Sequence, residues 1–201
     1  MKAWKAIAVG AVATLAGMAW AQDTTTTTQV QMVAAKTELS KGLDAKKLKQ
    51  GDPVVVKINE DVKLSSGQAL AKGSSITGHV DSVQPSENKG DSKVVLVFDK
   101  AQPKSGEPFA VKAVVMGIFP PPSALGNAAT PGVEPTKPVQ SAPGVTDQQN
   151  AAPGVDLHSD MSESSSATLT AKGKNVKVMD GSQWQFAVAV LPNGANVSDV
   201  K

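Results

Sequence analysis

Cysteine, tyrosine and arginine are absent from this chain of 201 residues. Without cysteine the chain has no disulfide, no thiol nucleophile, no thiolate metal ligand and no thiol for a lipid anchor. Its stability must therefore come from packing. Aromatic residues make up only 3% of the chain, which argues against a carbohydrate site built on stacked rings.

The charge balance argues against a nucleic-acid partner. The chain has 20 basic residues, all lysine, and 18 acidic ones. Lys2 and Lys5 lie within the first 21 residues, so residues 22–201 carry no net formal charge. Nucleic-acid binding depends on clustered positive charge and on arginine forks, and neither is predicted here.

The first 21 residues have the pattern of a cleavable export signal. Lys2 and Lys5 precede an apolar run from Ala6 to Ala19, and Ala19-Trp20-Ala21 supplies a small-x-small cleavage site. The run is shorter than the roughly 20 apolar residues of a membrane-spanning helix. We therefore expect export to the periplasm, the outer envelope or the medium, with no stable transmembrane span after cleavage.

Composition divides the rest of the chain into five segments. A threonine-rich leader (22–29) precedes a β-rich domain (30–119), and a Pro/Ser/Ala-rich stretch (120–165) is predicted to be a disordered linker. The repeat of Ala-Pro-Gly-Val at 142–145 and 152–155 is interpreted as low-complexity drift within it. Segment 166–192 is predicted to return to the β domain as strands, and 193–201 forms a tail.

Side-chain alternation with period two predicts a mainly β fold. The run 94–98 is apolar on both faces, and an apolar stripe that begins at Trp184 and Phe186 is expected in the core. A bulge is expected near Asp81-Ser82, and one short helix is expected at 45–49. We predict a small barrel or sandwich of about eight short strands, interrupted by the disordered Pro-rich insertion.

Three groups of residues are candidates for chemistry or binding. His79 and Asp81 share a strand face as a base and carboxylate would, although Ser74 and Ser75 beside them form no nucleophile motif. A metal-ligand spacing occurs at Asp156, His158, Asp160 and Glu163, within the predicted linker and without an EF-hand pattern. The concentrated positive patch consists of Lys46, Lys47 and Lys49. The preferred interpretation is that no catalytic, metal or cofactor site is present.

Several short stretches resemble the C-terminal β-barrel of TrbI-like scaffold proteins of conjugation and type IV secretion machines, and related secreted bacterial β-proteins. The similar stretches are Asp61-Val62-Lys63, the run from Leu70 to Val80, the run from Val94 to Ala101, Gly106, the run from Phe109 to Val115, Asn175-Val176-Lys177-Val178 and Asp180-Gly181-Ser182-Gln183. The resemblance implies a non-catalytic barrel module of the cell envelope.

Two functions follow as expectations. The preferred one is an exported, non-enzymatic scaffold or protein-interaction component of the bacterial envelope, with envelope proteins as partners and with oligomers allowed. The alternative is a soluble binding protein for peptidoglycan or polysaccharide, with Lys46, Lys47, Lys49 and His79 as contact residues. A hydrolase that uses His79 and Asp81 ranks last.

Overall fold

The structure, a computed structural model, describes residues 31–125 and 137–191. The predicted signal peptide (1–21), leader (22–29) and tail (193–201) lie outside the described residues. The described part contains fourteen strands and one short helix, in the order β1 (Val33–Leu39), β2 (Leu43–Asp44), β3 (Pro53–Ile58), β4 (Val62–Lys63), β5 (Ala69–Leu70), β6 (Ser75–Gln84), β7 (Ser92–Gln102), β8 (Phe109–Phe119), α1 (Pro122–Leu125), β9 (Val139–Ala142), β10 (Val145–Ala152), β11 (Val155–Asp160), β12 (Ala167–Ala171), β13 (Lys177–Val178) and β14 (Gln183–Val190).

Six of these strands close into a barrel. Their order around the ring is β6-β3-β1-β14-β8-β7, and β6 pairs again with β7 to close it. Every pair in the ring is antiparallel. The predicted mainly β class is confirmed, and of the two architectures left open the structure is a barrel.

Side chains fill the barrel interior. Trp184, Phe98 and Phe186 are fully buried, as the period-two stripe predicted. The Phe98 ring packs edge-on against Phe186 at a centroid distance of 5.0 Å, and the Trp184 ring stacks on Phe186 at 6.0 Å. Because the chain has no disulfide, this aromatic cluster and the surrounding aliphatic side chains stabilise the ring through burial.

Two irregularities between β6 and β7 bend the sheet. The register shifts between Val80 and Ser82, which confirms the predicted bulge. At Gly78 an added Cβ would overlap the carbonyl of Val97 and lie 2.8 Å from the Cα of Phe98. Glycine is therefore required at this position because the two strands approach too closely for a side chain.

A four-stranded extension leaves the barrel at β7. Residues 98–101 of β7 pair with β8, whereas residues 92–96 pair with β12, which continues through β11 and β10 to β9. The sheet forks at this point, and β10 and β11 pack against β8. Val114 and Lys112, on the outward face of β8, are therefore buried.

The prediction that 120–165 is a linker is wrong for residues 139–160, which form β9, β10 and β11. Each Ala-Pro-Gly-Val repeat is a hairpin turn between two of these strands. Gly144 and Gly154 have φ of 82° and 64°, the left-handed conformation that a Pro-Gly turn needs at its glycine. Residues 126–136 of the predicted linker lie outside the described residues.

The predicted helix at 45–49 is a single turn. The carboxylate of Asp44 caps it as expected, since the Lys46 N–H donates to Asp44 Oδ1 at 3.0 Å. The turn stops because Asp52 Oδ2 accepts the Lys49 N–H at 2.8 Å. Across residues 31–125 and 137–191, no helix has the length and apolar character needed to cross a membrane.

Candidate functional site

The outward face of the extension carries a hydrogen-bonded cluster on three neighbouring strands. His158 on β11 lies directly opposite Asp147 on β10, and its Nδ1 is 2.7 Å from Asp147 Oδ1. On the other side, the Ser141 hydroxyl of β9 donates to Asp147 Oδ2 at 2.5 Å. We call Ser141, Asp147 and His158 the β9–β11 cluster.

Its electrostatics follow from these contacts. The hydrogen bond from Ser141, and then that from His158, hold the pKa of Asp147 below its ordinary value because they stabilise the ionised carboxylate. The side chains of Asp147 and His158 are each 46% exposed. The cluster is therefore a solvated set of hydrogen bonds that ties three strands together.

An aspartate on Nδ1 of a histidine orients the ring as in hydrolytic dyads. Here, however, the Ser141 hydroxyl is bound to the far oxygen of the same carboxylate and not to the imidazole. The serine is thus placed to stabilise Asp147 and is not activated by His158.

The four residues with metal-ligand spacing do not converge. Asp156 accepts the Asn150 N–H at 2.9 Å, and Asp160 accepts both the N–H and the hydroxyl of Ser162 at 2.7 Å. Glu163 accepts the Ser165 hydroxyl. Within the described part of the chain, no three His, Cys, Asp or Glu side chains group in a way that could hold a metal ion.

Lys112 is a buried cation between the barrel and the extension. Only 1% of the Lys112 surface is exposed to solvent. Burial lowers the pKa of its ammonium group, and the nearby charge of Asp160 acts in the opposite direction. A lysine at this position links the outward face of β8 electrostatically to β11.

Among the residues that the structure describes, no hydrogen bond or ion pair joins His79 to Asp81. His79 is half-buried on β6, while Asp81 lies in the bulge, where the alternation is broken. Ser74 is buried, and its hydroxyl accepts the Lys104 N–H at 3.1 Å. Ser74 thus serves the packing of two loops, as a strand-entry residue would.

The turn at 45–49, which carries the three candidate lysines, lies in the same region as His79. Lys46, Lys47 and Lys49 are all exposed. The turn leads to Gly51, whose N–H donates to Val80 O, the residue after His79. The fold therefore brings His79 into the region of the three lysines, although it is distant from them in sequence.

One strand edge of the large sheet is uncovered among the described residues. β9 is the last strand of the extension, and all four of its residues are exposed. Val139 is 62% exposed, the largest value for a big apolar side chain in the described residues. A register shift beside Ser141 marks a bulge in this edge.

The β9–β11 cluster and the β9 edge were missed from the sequence because this stretch was assigned to a linker. The two Pro-Gly turns were the available signal, since each predicts a hairpin. A comparison with family models, with curated proteins and with solved structures finds no match for this chain.

Proposed function

We propose that the protein is an exported, non-enzymatic β module that acts as a scaffold or protein-interaction component of the bacterial cell envelope. The observation that carries the proposal is the β9 edge, which no strand of the described residues covers, at the end of the ten-stranded sheet. Backbone groups at such an edge pair with an extended segment of a partner, and neighbouring side chains give selectivity.

The form of the edge favours one short partner strand over open-ended association. β9 has only four residues, follows Pro138 and is bulged at Ser141. Short length, proline and bulges all limit edge-to-edge aggregation. Val139 supplies an apolar contact, and the β9–β11 cluster adds the Asp147 carboxylate and two polar side chains beside it.

The barrel provides the rigid part of the module. Each ring strand is hydrogen-bonded on both sides, and the extension is fastened to β8 by buried side chains. A platform with few internal degrees of freedom loses little entropy when a partner binds. The predicted export signal and the resemblance to TrbI-like barrels support an envelope location for that partner.

Site-specific photo-cross-linking in the native cells tests the proposal. A photoreactive residue at Gln140, on β9, is expected to capture envelope proteins in a fixed ratio. The same residue at Gln68, exposed in the hairpin between β4 and β5, is the matched control. Equal capture at both positions, or none at Gln140, would reject β9 as the contact.

The alternative function is binding to peptidoglycan or another envelope polysaccharide. It is supported by the exposure of Lys46, Lys47 and Lys49 and by their position beside His79. Salt-sensitive pelleting with isolated cell wall, lost when the three lysines are replaced by glutamine, would favour this function over the β9 interaction.

A further inference from the structure

Three loops meet at the end of the barrel where β1 ends. They are residues 40–52, 85–91 and 172–182, and hydrogen bonds join them to one another. The Ala45 N–H donates to Val176 O at 3.0 Å, and the Ser86 N–H donates to Asn175 Oδ1 at 2.9 Å. The Gly173 N–H donates to Asp91 Oδ1 at 3.0 Å. We call these three loops the lysine end.

The lysine end carries an excess of positive charge. It holds eight lysines, all exposed, against five carboxylates, a surplus of three positive charges in a chain whose residues 22–201 are neutral. The lysines are Lys41, Lys46, Lys47, Lys49, Lys89, Lys172, Lys174 and Lys177. A cluster of four to eight basic residues is the size that binds anionic lipid surfaces.

Most of the carboxylates at this end serve the backbone. Asp44, Asp52 and Asp91 each accept a backbone N–H from one of the same loops. Lys177 lies 3.7 Å from Asp44, and the Lys174 ammonium donates to Pro153 O. Within the described residues the other six lysines have no carboxylate within 4 Å. These three carboxylates thus shape the loops, whereas most of the lysines at this end are exposed without a carboxylate partner.

An apolar group lies beside these cations. Met179, in the loop of residues 172–182, is 48% exposed. It borders a shallow groove that is also lined by Pro120, Pro121 and Pro153. Cations next to an exposed apolar side chain suit the boundary between lipid headgroups and acyl chains. A soluble polyanion would use the cations alone, so Met179 favours a membrane.

We propose that the lysine end binds a membrane surface rich in anionic phospholipid. The ammonium groups contact the headgroup phosphates, and Met179 reaches the start of the acyl region. This binding does not depend on β9 or on a protein partner. It makes the protein a peripheral module with the lysine end on the membrane and the rest of the barrel directed away from it.

Vesicle sedimentation tests the proposal on the full chain. The vesicles are phosphatidylcholine with about 30 mol % phosphatidylglycerol, compared with pure phosphatidylcholine, at low and at about 0.15 M salt. The test variant is Lys46→Gln/Lys47→Gln/Lys49→Gln. The matched control is Lys57→Gln/Lys63→Gln/Lys104→Gln, which removes equal charge from exposed positions toward the opposite end. Residues 1–21 are the same in the wild type and in both variants, so a difference in vesicle binding between them is due to the substituted lysines.

The test variant is expected to lose at least about ten-fold in partitioning to anionic vesicles, since each lysine near such a surface contributes roughly five-fold. The control is expected to stay within about two-fold of the wild type. Equal losses in both variants, or no preference of the wild type for anionic vesicles, would overturn the proposal.

A second comparison separates lipid from other anions. Inorganic polyphosphate has the same phosphate chemistry without an acyl region, and isolated cell wall represents envelope polymers. Met179→Ser is expected to weaken vesicle binding several-fold and to leave polyphosphate binding unchanged. Equal effects on both, or binding to cell wall but not to anionic vesicles, would overturn the membrane assignment in favour of a polymer.

Discussion

The side-chain amide of Gln148 pairs with both backbone polar groups of Ile118. Its Nε2 donates to Ile118 O at 2.8 Å, and its Oε1 accepts the Ile118 N–H at 2.8 Å. Beyond the fork of the sheet, β8 has no strand on this edge at Ile118, and the amide takes the place of one. The glutamine is buried, so these backbone groups have no access to water.

Replacing Gln148 is expected to destabilise the fold strongly. Gln148→Leu leaves a buried N–H and a buried carbonyl without their partner, at a cost of about 2–4 kcal/mol. Urea unfolding measures the change. Gln140→Leu, on the exposed strand β9, is the matched control and is expected to change stability by less than about 0.5 kcal/mol. Similar effects of the two substitutions would contradict the structural role of Gln148.

Gly78→Ala is expected to cost about 3 kcal/mol, because the new methyl group meets the backbone of β7 and backbone atoms cannot turn aside. Gly67→Ala is the control. That glycine has φ of 85° but open space around its Cβ position, so only the conformational cost of about 1 kcal/mol applies. Thermal unfolding of the two variants compares these costs, and a smaller effect at Gly78 than at Gly67 would refute the close approach.

The pKa of Asp147 is expected to respond to Ser141. Ser141→Ala removes the larger of the two stabilising hydrogen bonds, so the pKa rises toward its ordinary value of 3.8. The carboxylate carbon chemical shift, followed against pH by NMR, gives the value directly. An Asp147 that titrates at its ordinary value in the wild type would contradict the cluster.

The lowered pKa of Asp147 also predicts how the stability of the fold changes at acid pH. Because the pKa of Asp147 is lowered in the folded state, its contribution is present above the unfolded value and is lost as the pH falls through the folded value. The destabilisation by Asp147→Asn is therefore expected to shrink on acidification from about pH 5 to pH 3. Urea unfolding at several pH values measures it. A destabilisation that stays constant over this range would argue against a shifted carboxylate.

The lowered pKa of Lys112 predicts a change of stability at alkaline pH. Burial lowers its folded-state pKa below the ordinary 10.5, so the unfolded chain binds the proton more tightly in that interval. Stability is then expected to rise with pH from the folded value up to about 10.5. Lys112→Met removes this rise, as chemical unfolding between pH 8 and 10.5 would show. An unchanged slope in the variant would assign the pH dependence to another group.

Local alternation predicted much of the barrel. The stripe that contains Trp184 and Phe186, the doubly apolar run 94–98 and the bulge beside Asp81 are all found, because each depends on neighbouring residues in one strand. Residues 45–49 were predicted as a short helix but form a single turn, because an aspartate such as Asp44 can cap either structure.

The strands of the extension at 139–160 were not predicted from the sequence, and the reason is physical. These strands bury polar side chains, Thr146, Gln148 and Ser159 among them, and these bond to β8 instead of forming an apolar stripe. A buried glutamine can be distinguished from a solvated one only when its partner is known. The pairing of Asp147 with His158 likewise depends on a register that shifts between Gln148 and Ala152.

The closing strand of the barrel has a consequence for the order of folding. β14, near the end of the described chain, pairs with β1, at its beginning, and also with β8. Thr37 and Trp184, which lie opposite each other across the first of these pairs, are 147 residues apart. Contacts between such distant residues form slowly. A chain that is made from its N-terminus onward leaves the ring open, with one unpaired edge on β1 and one on β8, until β14 has been made. The ring therefore closes only after β14 has been made, and until then the edges of β1 and β8 that β14 covers are open to pairing with other strands.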